Sequence, residues 1–489
     1  MESLTETQWD VVISGTGLKH SLLALALSRS NKEILHVDPN EYYGDAEAAF
    51  SLQEVEEWVE KVNKKSPSGH FRNASLWKLP SEPSDESKKL SFSRAYTLTL
   101  SPQIIYTRSK LLSQLVSSKV YRQLEFQAVG NWWMLGENTL NRLPNGREDI
   151  FQDKNIDNRA KRGLMKFLKF VVDYENQTEL WQPHADSGLA GFLSSQFQLP
   201  SNLQNVICAL TLSLDAPEAT EVSWSLPRIS RHLTSIGLFG PGFGAVVPKW
   251  GGGAEISQVA CRAGAVGGGI YVLGTGIKES KPLEEADSLT LIQLSNEDAV
   301  RTRHLIQSSE GRFTDTKTVS KIIAIISSSL TSLFKGSVEG APLAAVSVVV
   351  IPVGMVNVEG ASQDTPIYIM VHSSETGECP ARQCVLYATM LCSEHSKKLL
   401  EAALNTLLAT LEERPTLLYK LYYEQQADAG STGSPEASLD LAFNDGMLDD
   451  VESQWKTVMG DEAEQATFMR FEDREGMSND DDDEVDDAY

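Results

Sequence analysis

Residues 9–44 read WDVVISGTGLKHSLLALALSRSNKEILHVDPNEYYG, and the order of residue types in this stretch sets the fold class. A β-branched run ends at Gly15-Thr16-Gly17, an apolar stretch with Leu18, Leu22, Leu25 and Leu27 follows, and a second apolar run, ILHVD, closes on Asp38. Strand, glycine turn, helix, strand and then an acid about 20 residues on is the order of a dinucleotide-binding βαβ unit: the glycines permit the tight turn and the acid takes a ribose hydroxyl. The third glycine is missing, and His20 stands where helix and strand approach most closely. The spacing therefore predicts a doubly wound start and leaves open whether a flavin or nicotinamide is bound.

The chain has 489 residues, 41 % of them apolar, enough for more than one core and about two to four domains. A formal charge of −24 argues against nucleic-acid binding, which needs a basic face to neutralise phosphates. A charge-steered partner should itself be basic. Part of the excess lies in SNDDDDEVDDAY at the end of the chain, which reads as a solvating tail or as a docking tail for basic segments. The five cysteines, Cys208, Cys261, Cys379, Cys384 and Cys392, include no CxxC pair, so neither a disulfide framework nor a metal site is expected. The N-terminus has no basic n-region, and the longest apolar stretch, AAVSVVVIPVGMV, is too short to span a bilayer. The expectation is a cytoplasmic protein with transient, peripheral membrane contact.

Working along the chain, residues 1–100 read as the first part of an α/β domain, with a Ser-, Pro- and Lys-rich linker or insertion at about 63–100. Residues 101–235 read as mainly helical, 236–470 as the second part of the α/β domain, and 471–489 as the acidic tail. In DNRAKRGLMKFLKFVVDYEN, Leu164, Phe167, Leu168 and Val171 recur at helical spacing, and Met165 and Val172 widen the apolar arc. Such a helix is either a buried bundle helix or one wall of a lipid or partner groove. Glycine is dense over 237–276, but no GxxxxGK[ST] phosphate loop is present. Within that region EISQVACRAGAV reads as a short helix. Ile256, Val259, Ala260 and Ala263 face inward, and Glu255, Gln258 and Arg262 form one outward stripe. Beyond residue 280, strands around LTLIQL, SKIIAII, LAAVSVVVIPVGMV, TPIYIMVH and QCVLYATML predict a second sheet packed on the first unit.

Four blocks in order carry a resemblance: the opening stretch with GTGL, LHVD and YYG; IIYTRSKLLSQLVSSKVYRQLEF; DIFQDKNIDNRAKRGLMKFLKFVVDYE; and GFGAVVPKWGGGAEISQVACRAGAVGGGIYVL. Together they resemble the family of Rab escort proteins and Rab guanine nucleotide dissociation inhibitors, most closely over residues 8–275. The resemblance implies an FAD/NAD(P)-binding-like (GDI-like) larger α/β domain with mixed sheets, plus a smaller all-helical domain. It also implies that Gly15, Gly17 and Asp38 form a vestigial turn without a cofactor. It places Tyr43, Glu255, Arg262 and Tyr271 on a platform that grips a GDP-bound Rab GTPase. A carboxylate, a guanidinium and tyrosines are residue types that make strong, specific contacts. By the same resemblance Phe151 and Arg162 dock the Rab geranylgeranyltransferase alpha/beta heterodimer, and Leu164, Phe167, Leu168 and Val171 are candidates for holding the geranylgeranyl lipid of the client. The chain departs from the family where GELPQ-like relatives have proline and this chain has Ser257, and where Val272 replaces methionine. The role implied is a non-catalytic escort that presents unprenylated Rab to the transferase and delivers the product to membranes. A dissociation inhibitor that recycles prenylated Rabs is the sister reading, and the residues alone also permit a flavin-dependent oxidoreductase.

Overall fold

The computed structural model describes residues 4–64, 69–80, 89–137, 139–144, 156–283, 289–307, 317–336, 340–427 and 438–472. The opening run forms β1 (Gln8–Ser14), flanked in parallel by β2 (Ile34–Asp38) and β13 (Ala299–Gln307). β10 (Ile270–Leu273) extends this sheet beyond β2 in parallel, and β12 (Thr290–Leu294) and β11 (Ile277–Pro282) extend it antiparallel beyond β13. Val11, Val12, Ile13, Leu35 and Val37 are all buried, as strands covered on both faces require; this is why their sequences run apolar instead of alternating. All ten residues of α1 (Leu18–Leu27) are buried as well. The helix is covered by two others, α8 (Gly253–Val266) and α10 (Gly446–Met459). Where α8 ends, a Cβ on Gly267 would come within 2.3 Å of the Ser28 carbonyl, so only glycine permits the approach.

The turn between β1 and α1 is held from β2. Asp38 Oδ2 accepts from both the backbone N–H and the hydroxyl of Thr16, each at 2.6 Å, and its Oδ1 accepts from Asn40 N at 2.7 Å. Gly15, at φ 97°, makes the turn, and its carbonyl lies 2.6 Å from His36 Nε2. Burial pulls the His36 pKa down to about 4, so at neutral pH the ring is uncharged and donates its Nε2–H to that carbonyl.

Among the described residues, the second sheet has ten strands. Its order is β4 (Phe71–Lys78), β18 (Leu417–Gln426), β14 (Thr318–Ile326), β17 (Cys384–Leu391), β16 (Ile367–Ser373), β15 (Val346–Ile351), β7 (Phe126–Leu135), β9 (Ala245–Pro248) and β6 (Ile105–Tyr106), with β8 (Leu140–Arg142) on β7. Only the β15–β7 pairing in it is parallel. β3 (Ala49–Phe50) and β5 (Leu98–Thr99) pair separately. Helix α9 (Ser396–Thr410) packs on β14 and β17, and α2 (Leu52–Lys64) packs on β4.

Several sequence expectations are corrected here. LTLIQL belongs to the first sheet, as β12, and the other four apolar runs build the second. The presumed linker at 63–100 carries β4, an edge strand hidden by its Arg, Asn, Ser and Lys residues but paired with β18 and tied to it by an Arg72–Glu424 ion pair at 2.8 Å. The predicted helical stretch 101–235 begins with β6, a short helix α3 (Lys110–Ser117), β7 and β8. In β7, Gly130 allows close contact with the next strand's approach: a Cβ there would meet Ala344 Cβ at 2.3 Å. Helix α10 falls within 236–470 but has no counterpart among the elements expected there, although Met447, Leu448, Val451, Trp455 and Val458 repeat at helical spacing and are buried.

The helical unit proper contains α4 (Asn158–Val172), α5 (Leu189–Phe197), α6 (Ser201–Thr211) and α7 (Val222–Ser235). Asp157 caps α4 by accepting from Arg159 N at 2.7 Å and Ala160 N at 2.9 Å. Gly163 lets α4 cross the end of α5, since a Cβ there would lie 2.5 Å from the Phe197 carbonyl. Phe167, fully buried, meets Phe197 edge-on with ring centroids 5.2 Å apart, and Phe170 and Phe192 complete the cluster.

Two outcomes are expected. Phe167→Ala should destabilise the protein by about 3–5 kcal/mol, the range for emptying a closed aromatic core, read from the urea midpoint. Asp38 has its pKa raised from 3.8 to about 6, burial outweighing the Thr16 and Asn40 hydrogen bonds, so the native state binds its proton more tightly than the unfolded chain does. This group therefore costs stability progressively as pH rises from about 4 to about 6, and Asp38→Asn should flatten that part of the stability–pH profile.

Candidate functional site

The candidate platform is built on α8. Its inward residues Ile256, Val259 and Ala260 are buried against α1, which leaves Gln258 and Arg262 exposed and Glu255 half-buried on the opposite stripe. Burial raises the Glu255 pKa, and the Arg262 guanidinium opposes that shift, so the two side chains of the stripe are electrostatically coupled. Tyr43, also half-buried, reaches α8 from the loop after β2; burial raises its pKa, with the Cys261 and Asp38 groups adding to the effect.

Tyr271 sits differently from the other three. It lies on β10, with its ring against His36 at a centroid distance of 4.9 Å and its hydroxyl over Gly264, where a Cβ would come within 2.2 Å. Burial drives its pKa well up. Cys261, whose Sγ donates to Ser21 Oγ at 3.3 Å, neighbours both tyrosines and ties α8 to α1. The structure thus brings Tyr43, Glu255, Arg262 and Tyr271 together around one helix. Tyr271 supports that helix from beneath, and the others border its outer face.

Gly15, Gly17 and Asp38 occupy the places of a dinucleotide turn, but the position where a pyrophosphate would meet the start of α1 is filled. Glu47 Oε2 accepts from Leu18 N at 3.3 Å and lies 3.6 Å from where a Gly17 Cβ would be. Asp38 spends both oxygens on Thr16 and Asn40, leaving its carboxylate committed within the turn. The residues present do not fit a bound flavin or nicotinamide dinucleotide. Sequence reasoning missed Glu47, because a single glutamate in DAEAAF gives no sign that it will cap a helix 29 residues upstream.

Of the two residues that the resemblance assigns to transferase docking, Arg162 is exposed on the second turn of α4, and Phe151 lies outside the described residues. Among the lipid-groove candidates, Leu164, Phe167 and Val171 are packed in the closed helical core and present no groove surface in this structure, whereas Leu168 is half-buried. The helical period alone showed an apolar arc but not that three neighbouring helices close over it. A cleft of about 340 Å³ does open where the helical unit meets the large sheet, bordered by Leu214, Trp224, Val319 and the Asp215–Lys317 ion pair. No described helix is long and apolar enough to cross a membrane.

Comparison with known proteins gives a consistent set of likenesses. Rab proteins geranylgeranyltransferase component A of Saccharomyces cerevisiae is 38 % identical over 283 residues, covering 58 % of this chain and 46 % of that protein. The chain thus spans less than half the length of this yeast relative. Rab escort protein 1 of Arabidopsis thaliana is 24 % identical over 536 residues, with 94 % of each chain covered. The crystal structure of a Rab GDI from Plasmodium falciparum superposes with a TM-score of 0.65 at 18 % identity, covering 93 % of this chain and 98 % of that one, a likeness of fold. The sequence model of the GDI (GDP dissociation inhibitor) family matches residues 5–468, and the chain belongs to that family.

Proposed function

We propose that this chain is a Rab escort protein. It binds a GDP-loaded, unprenylated Rab GTPase on the α8 platform, presents the Rab C-terminus to the Rab geranylgeranyltransferase heterodimer, and carries the prenylated product to membranes. The observation that carries the reading is the stripe of Glu255, Gln258 and Arg262 beside Tyr43, on a helix whose other face is buried. The stripe supplies one acceptor, one fixed fork of donors and an aromatic rim on a rigid base, so little entropy is lost when a partner docks. The names of the relatives, component A and escort protein, point the same way.

In this reading the chain supplies no bond-forming group; the transferase performs the chemistry and this protein contributes orientation. Tyr271 acts through α8, holding it from below. Arg162 and Phe151 would meet the transferase, an exposed guanidinium and an aromatic anchor being a common pairing at such contacts. A geranylgeranyl chain needs an apolar cover, each buried methylene contributing about 0.8 kcal/mol. The α4–α7 core would have to part around Leu168 to provide it. The protein itself is expected in the cytosol, with membrane contact only during delivery.

A recycling dissociation inhibitor is the second reading, kept because the GDI (GDP dissociation inhibitor) family model matches residues 5–468. Reconstituted prenylation separates the two. With GDP-bound Rab, geranylgeranyl pyrophosphate and transferase, lipid transfer should depend on this chain and fall in Phe151→Ala and Arg162→Ala; transfer that ignores the chain while Rab still binds it would identify a recycler. Glu255→Ala and Arg262→Ala should each weaken Rab binding on the order of ten- to hundred-fold in a titration, the loss of a binding hot spot. Unchanged affinity in both would remove the platform.

A further inference from the structure

We propose that Glu47 is the chain's own occupant of the phosphate seat in its dinucleotide-type crevice, and that by filling the seat it locks the Tyr43 loop to helix α8. Glu47 is thereby a positioning residue for partner binding, an inference that rests on the platform reading above.

The seat is recognisable from its parts. In a βαβ unit of this kind the first turn admits an anion to the free N–H groups at the start of the helix. Here α1 has Gly17 as its N-cap residue, which has no side chain to cap it. Its Leu18 N–H is instead satisfied by Glu47 Oε2 at 3.3 Å, and the space in front of Gly17 holds Glu47 Oε2 at 3.6 Å and Asp45 Cβ at 3.7 Å from an added Cβ. Glu47 is only 4 % exposed.

The same side chain also faces the beginning of α8. A Cβ on Gly253, the first residue of α8, would meet Glu47 Cβ and Cγ at 3.2 Å, and one on Gly44 would meet Ala254 Cα at 3.4 Å. Glu47 N donates to Gly44 O at 2.7 Å, and Gly44 N donates to Thr16 O at 3.1 Å. Two helix starts and the loop bearing Tyr43 therefore converge on one acid. The groups around it are Asp45 in its own turn, His70, and Lys321 on β14, whose Nζ donates to Leu100 O and Ser101 Oγ at 3.2 Å each. Burial raises the Glu47 pKa to about 8, so near neutral pH it is largely an uncharged acid, a state that glutamine mimics in size and polarity. A shorter side chain would leave Leu18 N–H without its partner and a gap between the two helices.

The test uses the full chain with Glu47→Ala, Glu47→Asp and Glu47→Gln, titrated with GDP-bound Rab and, separately, followed by thermal unfolding with and without millimolar inorganic pyrophosphate. Glu47→Ala and Glu47→Asp should lose Rab affinity roughly three- to thirty-fold, although Glu47 lies behind the binding face, and Glu47→Gln should restore it. Pyrophosphate should raise the melting temperature of Glu47→Ala and leave the wild type and Glu47→Gln unmoved. If Glu47→Ala does not fold, Glu47→Asp against Glu47→Gln decides the affinity arm. Wild-type affinity in the shortened variants, or a pyrophosphate response shared by all proteins or absent from Glu47→Ala, overturns the proposal. Glu255→Ala is measured alongside: if it too binds Rab normally, the platform reading fails, and the pyrophosphate arm alone then judges the seat.

Discussion

The carboxyl group of Glu47 accepts the first N–H of α1 at 3.3 Å and packs on the first residue of α8, so that two helices start at one buried acid. A helix start left without partners in the interior would cost about 1–3 kcal/mol for each unsatisfied donor. Dinucleotide-binding βαβ units satisfy those donors with a ligand's phosphates; this chain satisfies one of them from its own sequence. The fold's usual crevice becomes part of its core, and the surface over it gains a fixed base.

That base has a definite construction. α1 is buried on every side between the first sheet, α8 and α10, and the Asp38–Thr16 hydrogen bonds at 2.6 Å join the two strand ends on which it stands. Cys261 in α8 meets Ser21 in α1, and Gly267 and Ser28, just past the ends of the two helices, are in close contact. The outward stripe of α8 therefore sits on three layers of close packing and has little freedom to lose on association. The helical unit, by contrast, contributes a closed aromatic core around Phe167 and Phe197, and any lipid it holds must be admitted by separation of helices that pack well without one.

The legible parts of this molecule are those whose signal is local. The βαβ start is written in consecutive residues, glycine turn included, and the α8 face follows from the period of Ile256, Val259 and Ala260 against Glu255, Gln258 and Arg262. What stayed hidden depends on distant partners. β4 looks like a polar linker until β18, more than 300 residues away, supplies its hydrogen bonds. β7 sits in a stretch whose sequence looks mainly helical, because its neighbours β15 and β9 come from elsewhere in the chain. Tyr271 shares a motif with the platform helix, yet its pairing register on β10 turns it toward His36. Glu47 carries no local mark at all, since its role exists only once α1 and α8 have met.

Amide hydrogen exchange on the chain with and without GDP-bound Rab tests the central claim most directly. Slowed exchange confined to the Tyr43 loop and α8, residues 41–47 and 253–266, is the expected result, with the α4–α7 core unchanged until a prenylated client is added. Slowed exchange elsewhere, with 253–266 exchanging as in the free protein, would contradict it.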